Sequence, residues 1–145
     1  AARDSLRLEA GFPLHGHEIS PQISPVKAGL SWVVGWKKQN FCGLNSLSFE
    51  RDIGASQRVI HYLVEDRRIP RQGCVIKCPN GNEVGSVLSG GYSPMLKKPM
   101  GTALIDATAS TNFSLKGWRA MLRDNEIQLD FGLPVLGRIK EAGKK

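Results

Sequence analysis

The apolar positions of this chain change period once. Up to Gly54 they fall at helical spacing or in short clusters, and beyond it they alternate with polar ones. Over residues 3–10, Leu6 and Ala10 lie four apart behind Asp4 and Ser5, which predicts a helix closed by Gly11 and Pro13. Ser24 ahead of Pro25 predicts an N-cap and a first helical position. Trp32, Val33 and Val34 predict a short buried strand. Residues 44–53 predict a second helix, with Leu47 and Asp52 on different sides and Gly54 as its C-cap. Strands are then predicted over residues 58–64, 75–76, 84–88, 101–105, 117–122 and 127–131. Pro79, Asn80, Gly81 and Asn82 form the turn between the second and third of these, and residues 89–94 read as a loop. Six short strands in this interval predict a small antiparallel barrel or sandwich. A helix that opens almost at residue 1 is an abrupt start, and it suggests a piece of a longer protein.

Length and composition narrow the classes. A chain of 145 residues buries roughly two-thirds of its unfolded surface, enough for a core. With 41% apolar and 23% charged residues, 16 Gly and 8 Pro, collagen, coiled coil and wholesale disorder are excluded. The longest apolar stretches, such as residues 29–36, fall far short of the ~20 residues of a spanning helix. No signal-peptide pattern opens the chain. Three cysteines without close zinc-type pairing predict reduced thiols in a cytosol-like compartment.

The net charge is +7, from 20 Lys and Arg against 13 Asp and Glu. The cations are spread over Lys37-Lys38, Arg67-Arg68 with Arg71, Lys97-Lys98, and a tail holding Arg138, Lys140, Lys144 and Lys145. Dispersed charge with few aromatics fits a solvated surface or an acidic partner better than a nucleic acid.

Few residues carry obvious chemistry. Arg3 sits in the first turn of its helix, where a cation opposes the helix dipole at a cost of about 0.5 kcal/mol. It is either held for a carboxylate or phosphate, which its planar fork binds bidentately, or paired with Asp4 or Glu9. His15, His17 and Glu18 offer metal-type donors without a third and fourth ligand at a known spacing. Cys74 and Cys78 would lie about 13 Å apart along a strand, too far to bridge, and read as buried thiols. No metal site is therefore expected. Neither a phosphate-cradling glycine loop nor a Gly-x-Ser-x-Gly elbow is present.

Several segments identify a family. The run Ala2-Arg3-Asp4-Ser5-Leu6-Arg7-Leu8-Glu9-Ala10-Gly11, followed by Pro13-Leu14-His15-Gly16-His17-Glu18-Ile19, strongly resembles the aminomethyltransferase, or T-protein, of the glycine cleavage system. The likeness continues through Ser24-Pro25-Val26, Leu30-Ser31-Trp32, Phe41-Cys42-Gly43, residues 67–73, residues 85–90 and Ser93-Pro94. It departs from the family at residues 133–138, which lack the usual aromatic, and at residues 113–118.

The resemblance implies an α+β chain in two parts. Residues 1–54 would be the C-terminal segment of the family's helix-and-sheet, folate-binding middle domain. Residues 55–145 would be its C-terminal β-barrel domain. The family moves an aminomethyl carbon from the lipoyl arm of H-protein to tetrahydrofolate, with loss of ammonia and no metal. Its catalytic aspartate falls upstream of the segment matching Ala2, so this stretch alone is expected to be inactive. By the same resemblance Arg3 contacts the folate or substrate, and Arg138 is the basic residue that the C-terminus lends to the site. Trp32 reads as core, with a place in the neighbouring wall as the alternative. Arg67, Arg68 and Arg71 would form a docking surface for acidic H-protein, three cations within five residues. A cytoplasmic protein is expected, or a mitochondrial matrix one from a eukaryote, with neither nucleic acid nor membrane as partner. The alternatives are the folate-binding C-terminal part of a dimethylglycine or sarcosine dehydrogenase or demethylase relative, and a non-catalytic module that docks a partner.

Overall fold

The computed structural model describes residues 2–109 and 116–143. Phe113 of the atypical segment, and Lys144 and Lys145 of the basic tail, lie outside the described residues. Helix α1 (Ala2–Ala10) comes first, then turns, a single 3-10 turn (Ser31–Val33) and helix α2 (Leu44–Ile53). Six strands follow: β1 (Gln57–Val64), β2 (Val75–Lys77), β3 (Glu83–Ser93), β4 (Lys98–Asp106), β5 (Trp118–Leu122) and β6 (Asn125–Gly132). Helix α3 (Val135–Ala142) comes last.

The strands close into an antiparallel barrel in the order β1-β4-β3-β2-β5-β6, with β6 returning to β1. Of the two sheet architectures open to the sequence, the barrel is the one formed. Alternation places the core. Along β6, Ile127, Leu129 and Phe131 point inward between exposed Glu126, Gln128 and Asp130. They meet Tyr62, Val64, Ile76, Ala103, Ile105 and Trp118. Phe131 takes the edges of Tyr62 and Trp118 at centroid separations of 6.4 and 5.2 Å.

One outer face of the barrel is also buried, because α1 lies across it. Leu8 packs with Met100 of β4 and Val135 of α3. Glu9 is buried, accepts the Ser93 hydroxyl at 2.6 Å and the Met95 N–H at 3.2 Å, and so fixes the end of β3 to the helix. Gly11 closes α1 at φ +80°, where a Cβ would stand 2.8 Å from Pro134 at the start of α3.

Three expectations are corrected. Trp32 to Val34 form no strand: Ser31–Val33 is a 3-10 turn, and Trp32 is 80% exposed rather than core. The closed barrel offers no free strand edge for such a segment to pair with. Residues 89–93 are not a loop but the second half of β3, paired with residues 98–102. Ser24 caps a turn, its Oγ accepting the Lys27 N–H at 3.2 Å, but no helix follows. The hydroxyl instead donates to Glu50 of α2. Beyond β6, Pro134 ends the ladder and Val135 starts α3.

The glycines in β3 have a packing cause. A Cβ on Gly90 would stand 1.9 Å from the Pro70 carbonyl oxygen, since the loop before β2 crosses the strand there. Gly90→Ala should therefore cost about 1–3 kcal/mol through overpacking. We expect a lower midpoint in urea with the slope unchanged. An unchanged midpoint would mean that the Pro70 loop is free to move away.

Candidate functional site

Helix α1, the segment around Leu14 and His17, the middle of β3 and the Arg71-Gln72 loop enclose a cleft of about 580 Å³. Arg7 in its floor belongs to a buried ion pair. Arg7, one side of α1, has a side chain only 10% exposed. Its guanidinium donates to Asp4 at 3.0 Å, to Glu18 at 3.2 Å and to the Ser89 hydroxyl at 3.1 Å. Glu18 is 2% exposed, and it also accepts the Leu14 N–H at 2.8 Å and the Thr102 hydroxyl at 2.5 Å. Burial pushes its carboxyl upward. The hydroxyls of Ser89 and Thr102, the Leu14 N–H and the Arg7 charge outweigh this and hold it below its ordinary range. The pair is charged, and it joins α1, the loop after it, β3 and β4.

Three side chains on this cleft are held differently. The His17 Nδ1 lies 3.0 Å from the Leu88 carbonyl, which can only accept, so Nδ1 carries the proton. A neutral ring then keeps Nε2 as an acceptor. Arg3 is exposed at the helix start and lines the cleft. Its two proposed neighbours are engaged elsewhere, Asp4 by Arg7 and Glu9 by Ser93. Among the described residues Arg3 has neither an ion pair nor a hydrogen-bonded side chain. Arg71 also lines the cleft and stands likewise without a side-chain partner among the described residues.

The other candidate residues are dispersed. Arg138 donates to the Asp130 carboxylate at 2.5 Å and to the Leu133 and Asp130 carbonyls at 2.9 and 2.8 Å, which clamps α3 to β6. It is absent from the cleft lining. The three-arginine cluster is divided. Arg68 is bound to Asp66 at 2.5 Å, and Arg67 faces a separate groove with Tyr92, Lys97 and Lys98. Arg71 alone joins Arg3. Cys74 and Cys78 are free thiols packed against the barrel core, and His15 is exposed.

The reading of the sequence missed Arg7, Ser89 and Thr102, and saw Glu18 only as a weak metal donor. The Asp4–Arg7 pair was visible as an i,i+3 spacing. The Glu18 and Ser89 contacts were not, since they span 11 and 82 residues.

A half-buried imidazole, His61, and the buried Glu18 carboxylate should contribute to the acid limb of stability. Burial holds the His61 imidazole below its ordinary 6.5, with the Arg138 charge adding to this and the Glu18 charge opposing it. Both His61 and Glu18 have folded values depressed below the unfolded ones. Their contributions are therefore present above the unfolded values and lost as pH falls. Stability should decline first below 6.5 and again below 4.5, the ordinary values of the two groups. Glu18→Gln should remove the second step and keep the first, measured by urea denaturation from pH 8 to about 3. A second step unchanged in that variant would mean that other carboxylates set it.

Two family models match separate parts of the chain. The family described as glycine cleavage T-protein C-terminal barrel domain matches residues 57–132, and the GCVT N-terminal domain family matches residues 1–38. An aminomethyltransferase of Parafrankia sp. is 43% identical over 109 residues, covering 75% of this chain and 30% of that protein. One from Prosthecochloris aestuarii is 46% identical over 102 residues, covering 70% and 28%. The crystal structure of glycine cleavage system aminomethyltransferase T from Bartonella henselae superposes with a TM-score of 0.81 at 32% identity, over 92% of this chain and 38% of that one. The chain thus spans about a third of the length of the relatives it matches. With a family match over the whole barrel and this likeness in structure, the chain belongs to the glycine cleavage T-protein family.

Proposed function

We propose that the polypeptide carrying these residues transfers an aminomethyl carbon from lipoylated H-protein to tetrahydrofolate, with release of ammonia, and that the cleft beside α1 takes part of the folate. The observation that supports this best is Arg3. Its guanidinium faces a cleft in a family of aminomethyltransferases, while the two acids beside it are committed to other partners. A cation kept in the first turn of a helix against the dipole, with no internal counter-charge among the described residues, is suited to an anionic ligand.

In this reading the chain's own residues bind and orient. Arg7 and Glu18 fix α1, so that Arg3 keeps its direction when the cleft is empty. His17 Nε2 offers an acceptor to an N–H or O–H of the ligand. Residues 1–54 belong to the folate-binding domain and residues 55–145 to the barrel domain. The acid that assists departure of ammonia lies outside residues 1–145, which alone would be inactive. Arg138 serves the site indirectly, by holding α3 against β6. Arg67 and Lys97, in the neighbouring groove where Glu65 holds Lys98, are the better part of the docking surface for acidic H-protein. The protein would act in the cytoplasm, or in the mitochondrial matrix of a eukaryote.

Arg3→Ala in the whole polypeptide should weaken tetrahydrofolate binding about ten-fold or more, the value of one charge-assisted hydrogen bond. Arg3→Lys should not restore it, because the ammonium lacks the planar fork. Calorimetric affinity and melting temperature are measured together. Unchanged affinity in both variants would refute the ligand role, and a drop in melting temperature alone would leave Arg3 as a structural residue.

A further inference from the structure

We propose that Arg71 is a second anion-binding residue of this cleft, acting beside Arg3 on a carboxylate of the glutamate tail of tetrahydrofolate. The inference rests on the reading that the cleft takes folate, and adds to it the end of the ligand that is recognised here.

The backbone on either side of Arg71 is tied to the barrel. Pro70 is fully buried, and its carbonyl lies against Gly90 of β3 so closely that no Cβ fits between them. The Gly73 N–H donates to the Val87 carbonyl at 2.9 Å, and the Cys74 N–H to the Arg71 carbonyl at 3.1 Å. Gly73 sits at φ +85°, so a tight turn returns the chain into β2. An arginine between two such anchors is pre-positioned, and less freedom is lost when it binds.

A free guanidinium is not peculiar to Arg71, since Arg58, Arg67 and Arg123 also hold no carboxylate among the described residues, but those three lie outside this cleft. Arg7, Arg51, Arg68, Arg119 and Arg138 each grip a carboxylate. Arg3 and Arg71 do not, and both line one concavity. The carboxylate on that lining is Asp4, which Arg7 already holds. An occupant of the cleft must therefore bring its own negative charge, and two guanidiniums suit two carboxylates. A pterin ring carries none, whereas a glutamate tail carries two. The arginine cluster read from sequence as one docking surface is thus split, with Arg71 turned to a small ligand and Arg67 to the other groove.

The test compares two ligands on the whole polypeptide. Tetrahydropteroate, used as its neutral carboxamide, keeps the pterin and the benzoyl group but lacks the glutamate and its carboxylates. Arg71→Gln should weaken tetrahydrofolate about ten-fold and leave tetrahydropteroate within about two-fold, with the melting temperature unchanged. Equal weakening of both ligands, or of neither, would overturn the inference. So would Arg71→Glu lowering H-protein affinity while tetrahydrofolate binding is kept, since the carboxylate would then come from a protein partner. If the unsubstituted polypeptide binds neither ligand, the folate reading of the cleft fails and this inference falls with it. Binding of both ligands with no effect of Arg71→Gln refutes the inference alone.

Discussion

The buried ion pair between Arg7 and Glu18 is the interaction on which the arrangement of this chain depends. A carboxylate that is 2% exposed can stay charged only if the surroundings replace its water. Here a guanidinium, a hydroxyl from β4 and a backbone N–H do so, and each comes from a different part of the chain. The pair therefore holds three elements in one geometry. Removing Arg7 alone would leave the Glu18 carboxylate as an uncompensated buried charge, at a cost of about 3–5 kcal/mol, whereas without Glu18 the guanidinium would still hold Asp4. An apolar contact between the same elements would stabilise them without fixing direction. The polar set of Arg7, Glu18, Thr102 and Ser89 fixes both.

The cleft follows from that constraint. With α1 held across β3 and β4, its first turn overhangs the barrel and carries Arg3 to the rim. From the other side the Pro70 loop is pressed onto β3 at a position where only glycine fits, and it carries Arg71 to the same rim. The cations that build the fold hold carboxylates, as Arg7 and Arg138 do. Arg3 and Arg71, which line the cleft beside Arg7, do not, among the described residues. Two free guanidiniums on one concavity, rather than the total of +7, distinguish the site from an ordinary basic surface.

The legible part of the sequence was the part governed by period. β6 alternates strictly, and β1, β4 and β5 were readable to within a few residues, so the barrel could be anticipated. The second half of β3 was not, because Ser89, Gly90, Gly91 and Ser93 look like a loop. They are small or polar because α1, the Pro70 loop and Glu9 pack onto that strand, a tertiary cause that no local pattern shows. Trp32 to Val34 was misread for the opposite reason. Three apolar residues in a row satisfy a local pattern, but the closed barrel has no edge to receive them. Arg3 could be singled out because its position is locally unfavourable. Arg7 could not, since its unfavourable burial is offset by residues distant in the chain. The grouping of Arg71 with Arg67 and Arg68 followed sequence proximity, but the buried Pro70, pressed onto Gly90 of β3, stands between them.

The central claim is that Arg7 and Glu18 act as one unit. A double-mutant cycle tests it directly, with unfolding free energies from urea measured at pH 7 for the parent, Arg7→Met, Glu18→Gln and the double variant. The account predicts a coupling of at least about 1 kcal/mol, with the double variant less destabilised than the two single ones combined. Additivity within about 0.5 kcal/mol would contradict it and would mean that α1 is held to the barrel by its apolar face alone.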